Sequence, residues 1–549
     1  MKEGFRQCTA WLHTWSGLIV GWVLFFVFVT GTAGYFQAEI TRWMQPELPL
    51  AAQTEPNTDS VQAVHVALNR LEQIAPAAAR WTITLPHESF TLRSWQDLKI
   101  AWEEMPQAGN GAGSTGSEQL NATTGAVQPA GPQPRATAGG RTLYRMHYEL
   151  RYMPYEWAIR IVGACTMQML LAIVTGVITH KKIFKDFFTF RPGKGQRSWL
   201  DAHNAISVMA LPFFLMITYS GLVFSLFLYM PAGRDVLYGS DPVSKTRYAN
   251  ELFERDGKKH SPVGRPATPI APLMVQADAA WGAGQLRTMA IERHEGEPPE
   301  ITLTRVHSGS LDVWNPPTLR FHADTGESLP PATLPGGSAL LTQGATFNLH
   351  EGLFADIWGR WLYFVAGLLG CAMIGTGLVL WTVKRRKRHL GGGHEEAEHL
   401  GVRLVENLNV ATIAGLPLAV AAYFWANRLL PLDMADRAAW EIHSLFAVWL
   451  ATLFYALTRP LHRAWIELLW AACAVYALVP LLNALTTDKH LLNTVAAGDW
   501  VLAGFDLTMW GLAALLALMA VKVQRRLQPA VAPAPGPVIA RPVWGEDAA

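Results

Sequence analysis

The stretch WLHTWSGLIVGWVLFFVFVTG, residues 11–31, decides how the rest of the chain is read. Its apolar run is long enough to cross a hydrocarbon core of about 30 Å at about 1.5 Å of rise per residue. It carries His13 at one end and, 17 and 18 residues on, Thr30 and Gly31 at the other. A second stretch, HNAISVMALPFFLMITYSG at residues 203–221, places His203 ahead of Ser220 and Gly221 at the same two offsets.

Working outward, the match extends to a series. After the first stretch comes Asn121-Ala-Thr-Thr-Gly-Ala-Val-Gln-Pro, then His147, then an apolar segment closing on Thr175-Gly176. After the second comes His322-Ala-Asp-Thr-Gly-Glu-Ser-Leu-Pro, then His350, then a segment closing on Thr376-Gly377. Basic residues follow both. Chance supplies one Thr-Gly match easily, but not the whole series in order. Each unit reads as helix, outer segment, helix, and two units in one orientation predict a pseudo-twofold axis along the membrane normal.

Composition agrees with a membrane protein. Of 549 residues, 50% are hydrophobic and 16% charged, which is too apolar for a soluble chain of this size. A net charge of +2 points to no nucleic-acid partner. The four cysteines, Cys8, Cys165, Cys371 and Cys473, form no C-x-x-C pattern, which argues against disulfide scaffolds, zinc sites and covalent c-type haem.

Eight stretches qualify as spans: 15–36, 157–179, 205–229, 361–383, 410–426, 442–457, 465–485 and 500–521. Trp and Tyr crowd their ends, as expected at headgroup level. Lys2 and Arg6, the cluster from Lys181 to Arg197, the run Lys384 to Arg388, Arg459 with Arg463, and Lys522 with Arg525 and Arg526 all fall on one side. The positive-inside rule makes that side, and both termini, cytoplasmic, and predicts a multi-pass protein of the bacterial inner membrane.

The resulting expectation is a membrane all-α bundle of about eight transmembrane helices, the first four a parallel internal repeat, with two small α+β periplasmic domains. The divisions are 1–36 (first span), 37–156 (outer domain with a flexible insertion at 106–140), 157–229 (second and third spans), 230–356 (second outer domain), 357–383 (fourth span), 384–407 (basic loop), 408–522 (a module of four spans) and 523–549 (a disordered tail). In the outer domains, Val61–Ile74 has helical periodicity and Arg80–Leu85 and Lys99–Glu103 alternate as strands. Leu273–Trp281, Thr288–Glu292, Glu300–Leu303 and Thr318–His322 repeat that order.

Histidines at a membrane boundary are costly and need a reason. The duplication makes His13 equivalent to His203 at the cytoplasmic ends, and His147 equivalent to His350 on the periplasmic approaches. A pseudo-twofold axis brings each pair face to face, the axial set of a six-coordinate b-type haem. Two haem b groups are expected, one near each face. His180 stands as an alternative to His13 as ligand, or with Lys181 and Lys182 as a contact to a haem propionate. Asp201, two residues before His203, is either an outer-shell carboxylate orienting a ring N–H or a plain interfacial charge.

No dinucleotide loop, P-loop, H-E-x-x-H or Ser/His/Asp arrangement stands in a credible context. No cytoplasmic stretch is long enough for a flavin domain, so electrons are expected from a cytoplasmic reductase or membrane quinol. An iron-siderophore permease and a non-enzymatic regulator remain as rival classes.

Together the segments WLHTWSG (11–17), TGVITHKKIFKDFFTFRPGK (175–194), LDAHN (200–204) and LHEGLF (349–354) resemble the PepSY-associated transmembrane helix family over about residues 5–390. That family includes haem-containing inner-membrane reductases that release iron from ferric siderophores. The resemblance implies PepSY-like periplasmic domains, b-type haem, and a periplasmic ferric siderophore or other iron chelate as substrate. Spans five to eight lie outside it and gain no role from it.

Overall fold

The computed structural model describes residues 4–50, 59–88, 95–105, 113–128, 134–180, 185, 187–189, 191, 193–252, 260–306, 316–330, 337–389 and 396–527. Lys181 and Lys182, parts of the 106–140 segment and most of the 523–549 tail lie outside them.

Among the described residues, seven helices are long and apolar enough to cross a bilayer, or eight if one bent pair is a single span. The first unit contributes α1 (Phe5–Gly34), the short α2 (Gln37–Trp43), α3 (Ser60–Ile74), α4 (Gly139–Met146) and α5 (Tyr155–Thr179). The second contributes α6 (Gln196–Met209), α7 (Leu211–Phe224), α8 (Ile270–Trp281), α9 (Gly337–Glu351) and α10 (Ile357–His389). Then come α11 (Glu396–Val410), α12 (Leu416–Leu429), α13 (Arg437–Thr458), α14 (Leu461–Thr486) and α15 (Trp500–Leu527).

The third span departs from the continuous helix expected over 205–229. α6 and α7 meet at 68°, and Pro212 stands at the start of α7. Proline has no N–H for the ladder and its ring collides with the carbonyl four residues back, so the helix breaks there. α1, the counterpart in the first unit, has no proline and runs unbroken for 30 residues. The fifth span starts earlier than expected, near Leu400. It contains a π turn, Ala411–Gly415, just before Pro417. The carbonyl of Ala411 accepts from Trp449 Nε1 at 3.0 Å, so the widened turn keeps its polar groups satisfied in apolar surroundings.

The two outer domains are not separate. β1 (Ala78–Thr84), β2 (Leu98–Glu104) and β3 (Thr115–Leu120) come from the first outer segment. β4 (Leu286–Glu292), β5 (Glu300–Arg305), β6 (Thr318–His322) and β7 (Ser328–Leu329) come from the second. They form one seven-stranded sheet in the order β3-β2-β1-β4-β5-β6-β7. β1 and β4 pair antiparallel from Arg80 opposite Glu292 to Thr84 opposite Thr288, with Thr82 facing Ala290 at the centre. Alone, the three strands of the first segment and the four of the second would each leave a first strand as an open edge; pairing the two removes both. Trp81, Ile83, Ile100, Met289, Ile291, Leu303 and Phe321 form a core with α3 and α8. Each such side chain contributes about 1.5–3 kcal/mol of burial.

The expected flexible insertion at 106–140 is corrected in its described parts. Residues 115–120 are the edge strand β3. Residues 134–140 are clamped to the last four spans: Thr137 Oγ1 and Ala138 N donate to Glu441 at 2.7 and 2.9 Å, and Arg135 donates to the carbonyl of Asn427 at 2.9 Å. The low-complexity composition hid a segment whose backbone groups are bonded individually. The ends of the outer segments belong to the helical body as well, where α4 packs against both α1 and α2, and α9 packs against α7.

Candidate functional site

Four histidines meet in two pairs. His13 on α1 faces His203 on α6, with ring centroids 6.3 Å apart and planes at 69°. His147, the residue closing α4, faces His350 on α9 at 5.8 Å and 45°. The rise from His13 to Gly31, against which His147 packs, puts the pairs about 27 Å apart along the helix.

Each imidazole is held by the same device. His13 Nδ1 donates to the carbonyl of Ala172 at 2.8 Å, His147 to Val27 at 2.8 Å and His203 to Met373 at 2.9 Å. A carbonyl only accepts, so Nδ1 carries the hydrogen and Nε2 keeps a free lone pair. Each acceptor lies three residues before the Thr of a Thr-Gly step. His350 follows with Ser220, whose hydroxyl donates to the Met216 carbonyl at 2.6 Å and stands 2.9 Å from His350 Nδ1.

The glycines of the four steps complete the seats. A Cβ on Gly176 would stand 3.2 Å from His13 Cε1, on Gly377 3.2 Å from His203 Cε1, and on Gly221 3.0 Å from His350 Cε1. On Gly31 it would fall on Nδ1 of His147, far inside contact distance. The helix surface is therefore notched where each ring lies. Sequence offsets marked these Ser/Thr-Gly steps as landmarks of duplication. Their role in seating histidines is visible only in three dimensions.

Burial pushes the His147 imidazole down, and His350 down to about 3, with the neighbouring imidazole adding to the effect on His350. Burial thus favours the neutral form of both rings. Beside them, Tyr144 donates to Glu351 at 2.6 Å, and burial raises that carboxyl.

The pairs fit a haem. Metal–imidazole bonds of about 2.0 Å on opposite sides of one ion place ring centres roughly 6.3 Å apart. Among the described residues no group of three or more His, Cys, Asp or Glu gathers to hold a metal, so each pair could offer two protein ligands to an iron whose remaining positions a porphyrin would fill. One turn beyond His203, the hydroxyl of Ser207 is buried with no hydrogen-bond partner. One turn beyond His13, nothing lies within 4 Å of a Cβ on Gly17.

The remaining candidates fall as follows. His180 closes α5 beside the first pair, with its Nε2 2.6 Å from Asn204 Nδ2. Lys181 and Lys182, proposed contacts to a propionate, lie outside the described residues. Asp201 does not orient His203: it is buried against Arg191, accepting from the guanidinium at 2.7 and 2.9 Å and from the backbone N–H at 3.1 Å. Side chains at i and i+2 of a helix diverge by about 200°, so an acid two residues before a ligand points away from it.

The family model described as the PepSY-associated TM region matches residues 10–384, about two thirds of the chain and all four histidines. No curated protein matches the chain.

Proposed function

The chain belongs to the PepSY-associated TM family, and from that premise we propose that it carries electrons across the bacterial inner membrane through two b-type haems and delivers them to a periplasmic ferric chelate. The observation that carries this reading is the pair of facing imidazoles at each end of the first helical body.

His13 and His203 would hold one porphyrin near the basic, cytoplasmic end, and His147 and His350 the other near the sheet, on the periplasmic side. Bound haem iron supplies reversible one-electron chemistry. The protein's part is to fix the ligands and exclude water. The hydrogen bonds to Ala172, Met373, Val27 and Ser220 set each tautomer and ring orientation, which outer-shell partners do at metal sites generally. Burial of each ring favours retention of neutral ligands. A carrier at each end divides a crossing that one alone spans poorly.

The joined sheet is built from both outer segments, which lead on to His147 and His350, and would offer a continuous surface to the chelate. Reduction of Fe(III) to Fe(II) by one electron weakens its bonds to hard oxygen donors, so the metal leaves its chelator. A ferric siderophore is the substrate class this chemistry suits. The electron donor is a cytoplasmic reductase or membrane quinol.

Anaerobic stopped-flow mixing of the dithionite-reduced protein with ferric siderophores tests the reading. Reoxidation of the haem bands with stoichiometric Fe(II) captured by ferrozine is expected. Reduced bands that persist through every chelate offered would contradict it.

A further inference from the structure

Two further histidines meet in the second outer segment. His260 and His294 form an isolated antiparallel bridge, so their side chains stand opposite each other on one face. Beside the bridge, Ser261 N donates to the carbonyl of Arg293 at 2.9 Å, and Val263 N to the carbonyl of Ala78 at 2.8 Å. The pair therefore sits where the chain entering the second module runs past the start of β1 and the end of β4. His294 also opens the turn into β5. Glu297 N donates to its carbonyl at 3.1 Å, and Gly296 supplies the positive φ, +79°, that the turn needs.

The two rings have centroids 5.0 Å apart and planes at 38°. Nδ1 of each is buried and has no hydrogen-bond partner, so the rings do not bond to each other. Ring packing alone accounts for the distance, but not for two unpaired nitrogens, which are costly to keep from water. One remedy serves both: a cation that takes a lone pair from each Nδ1, with the ring protons on Nε2. The spacing agrees. Two imidazoles bound at about 2.0–2.1 Å and at a tetrahedral angle place their centroids about 5.2 Å apart, against roughly 6.3 Å for ligands on opposite sides of an ion. His260 and His294 match the first arrangement, whereas His13 and His203, at 6.3 Å, match the second.

We propose that His260 and His294 bind a divalent first-row transition ion of the zinc class through Nδ1, with water completing its shell. Imidazole suits such ions, whereas magnesium and calcium take oxygen ligands. No third His, Cys, Asp or Glu joins the pair among the described residues. The site is thus open and exchangeable, unlike a closed four-ligand structural site. A bound ion ties residue 260 to the turn between β4 and β5, and so holds the entering chain against the seam of the two modules. The site uses none of the four histidines of the haem seats and no cysteine.

The test uses the full-length protein in nanodiscs, with Zn(II) as the probe. In equilibrium dialysis the wild type should retain about one zinc ion per chain more than His260→Ala or His294→Ala. In hydrogen exchange read by mass spectrometry, Zn(II) should slow exchange at least threefold across residues 260–263 and 291–297 of the wild type, and Mg(II) should not. The exchange measurement needs no variant, so a substitution that fails to fold leaves the test intact. Equal zinc retention in wild type and folded variants, zinc protection confined to other residues, or the same protection by Mg(II) would each overturn the proposal. Neither readout depends on haem, so its failure leaves the electron-transfer reading standing, and failure of that reading leaves this site standing.

Discussion

The four histidines occupy seats built from the same three parts: a glycine, a hydroxyl residue before it, and a carbonyl three positions before that. The seats differ in tightness, and that difference is measurable. Gly31→Ala places a methyl group on His147 Nδ1, whereas in Gly176→Ala and Gly377→Ala the new Cβ stands 3.2 Å from an imidazole carbon. A contact of 3.2 Å is relieved by a few tenths of an ångström of movement; one on the ring nitrogen is not. Pyridine haemochrome assays should therefore show Gly31→Ala losing about half its haem, while Gly176→Ala and Gly377→Ala lose far less. Equal retention in all three would remove the steric argument. At this scale the sequence was partly legible. The histidines stood out because duplication placed them at equal offsets, whereas Asp201 misled because proximity along a helix is not proximity in space; its partner is Arg191.

At the scale of elements, the spans were legible from length and apolarity, and the strands of the outer segments from alternation. The joining of the two outer modules was not, because alternation records which face a residue buries and not which strand lies alongside. Nothing local to residues 78–84 points to residues 286–292. The break at Ala210 did have a signal in Pro212, which an average over a hydrophobic window conceals. The shared sheet makes a prediction of its own. Thr82→Pro removes a ladder donor in the middle of a central strand and leaves its buried acceptor unsatisfied, at a cost of about 1–3 kcal/mol. The variant should show faster proteolysis and hydrogen exchange across residues 286–305 as well as across 78–104. Exchange confined to the first module would mean that the two fold independently.

At the scale of the whole molecule, the last four spans are tied to the first unit by buried polar contacts. Trp22 Nε1 donates to Asn409 at 2.9 Å, Trp43 Nε1 to Asp506 at 3.0 Å, and Asn483 joins Asp506 at 3.1 Å. Arg437 and Glu441 form an ion pair of 2.8 Å with side chains 1% and 0% exposed. Removing one member of such a pair strands the other charge, at about 3–5 kcal/mol. Glu441→Ala should lower the unfolding temperature and free residues 134–140 to protease, while Glu441→Gln, which keeps an acceptor for Thr137 and Ala138, should lose less. None of this network was legible beforehand, since its members are scattered from residue 22 to residue 506 and share no period or motif.

The central claim is that each facing pair of imidazoles holds one haem. Haem per chain, measured by pyridine haemochrome and iron analysis on purified wild type and on His13→Ala, His147→Ala, His203→Ala, His350→Ala and the His203→Ala/His350→Ala double variant, tests it most directly. The account predicts two haems in the wild type, about one in each single variant and none in the double variant. A double variant that keeps the wild-type pigment would contradict it.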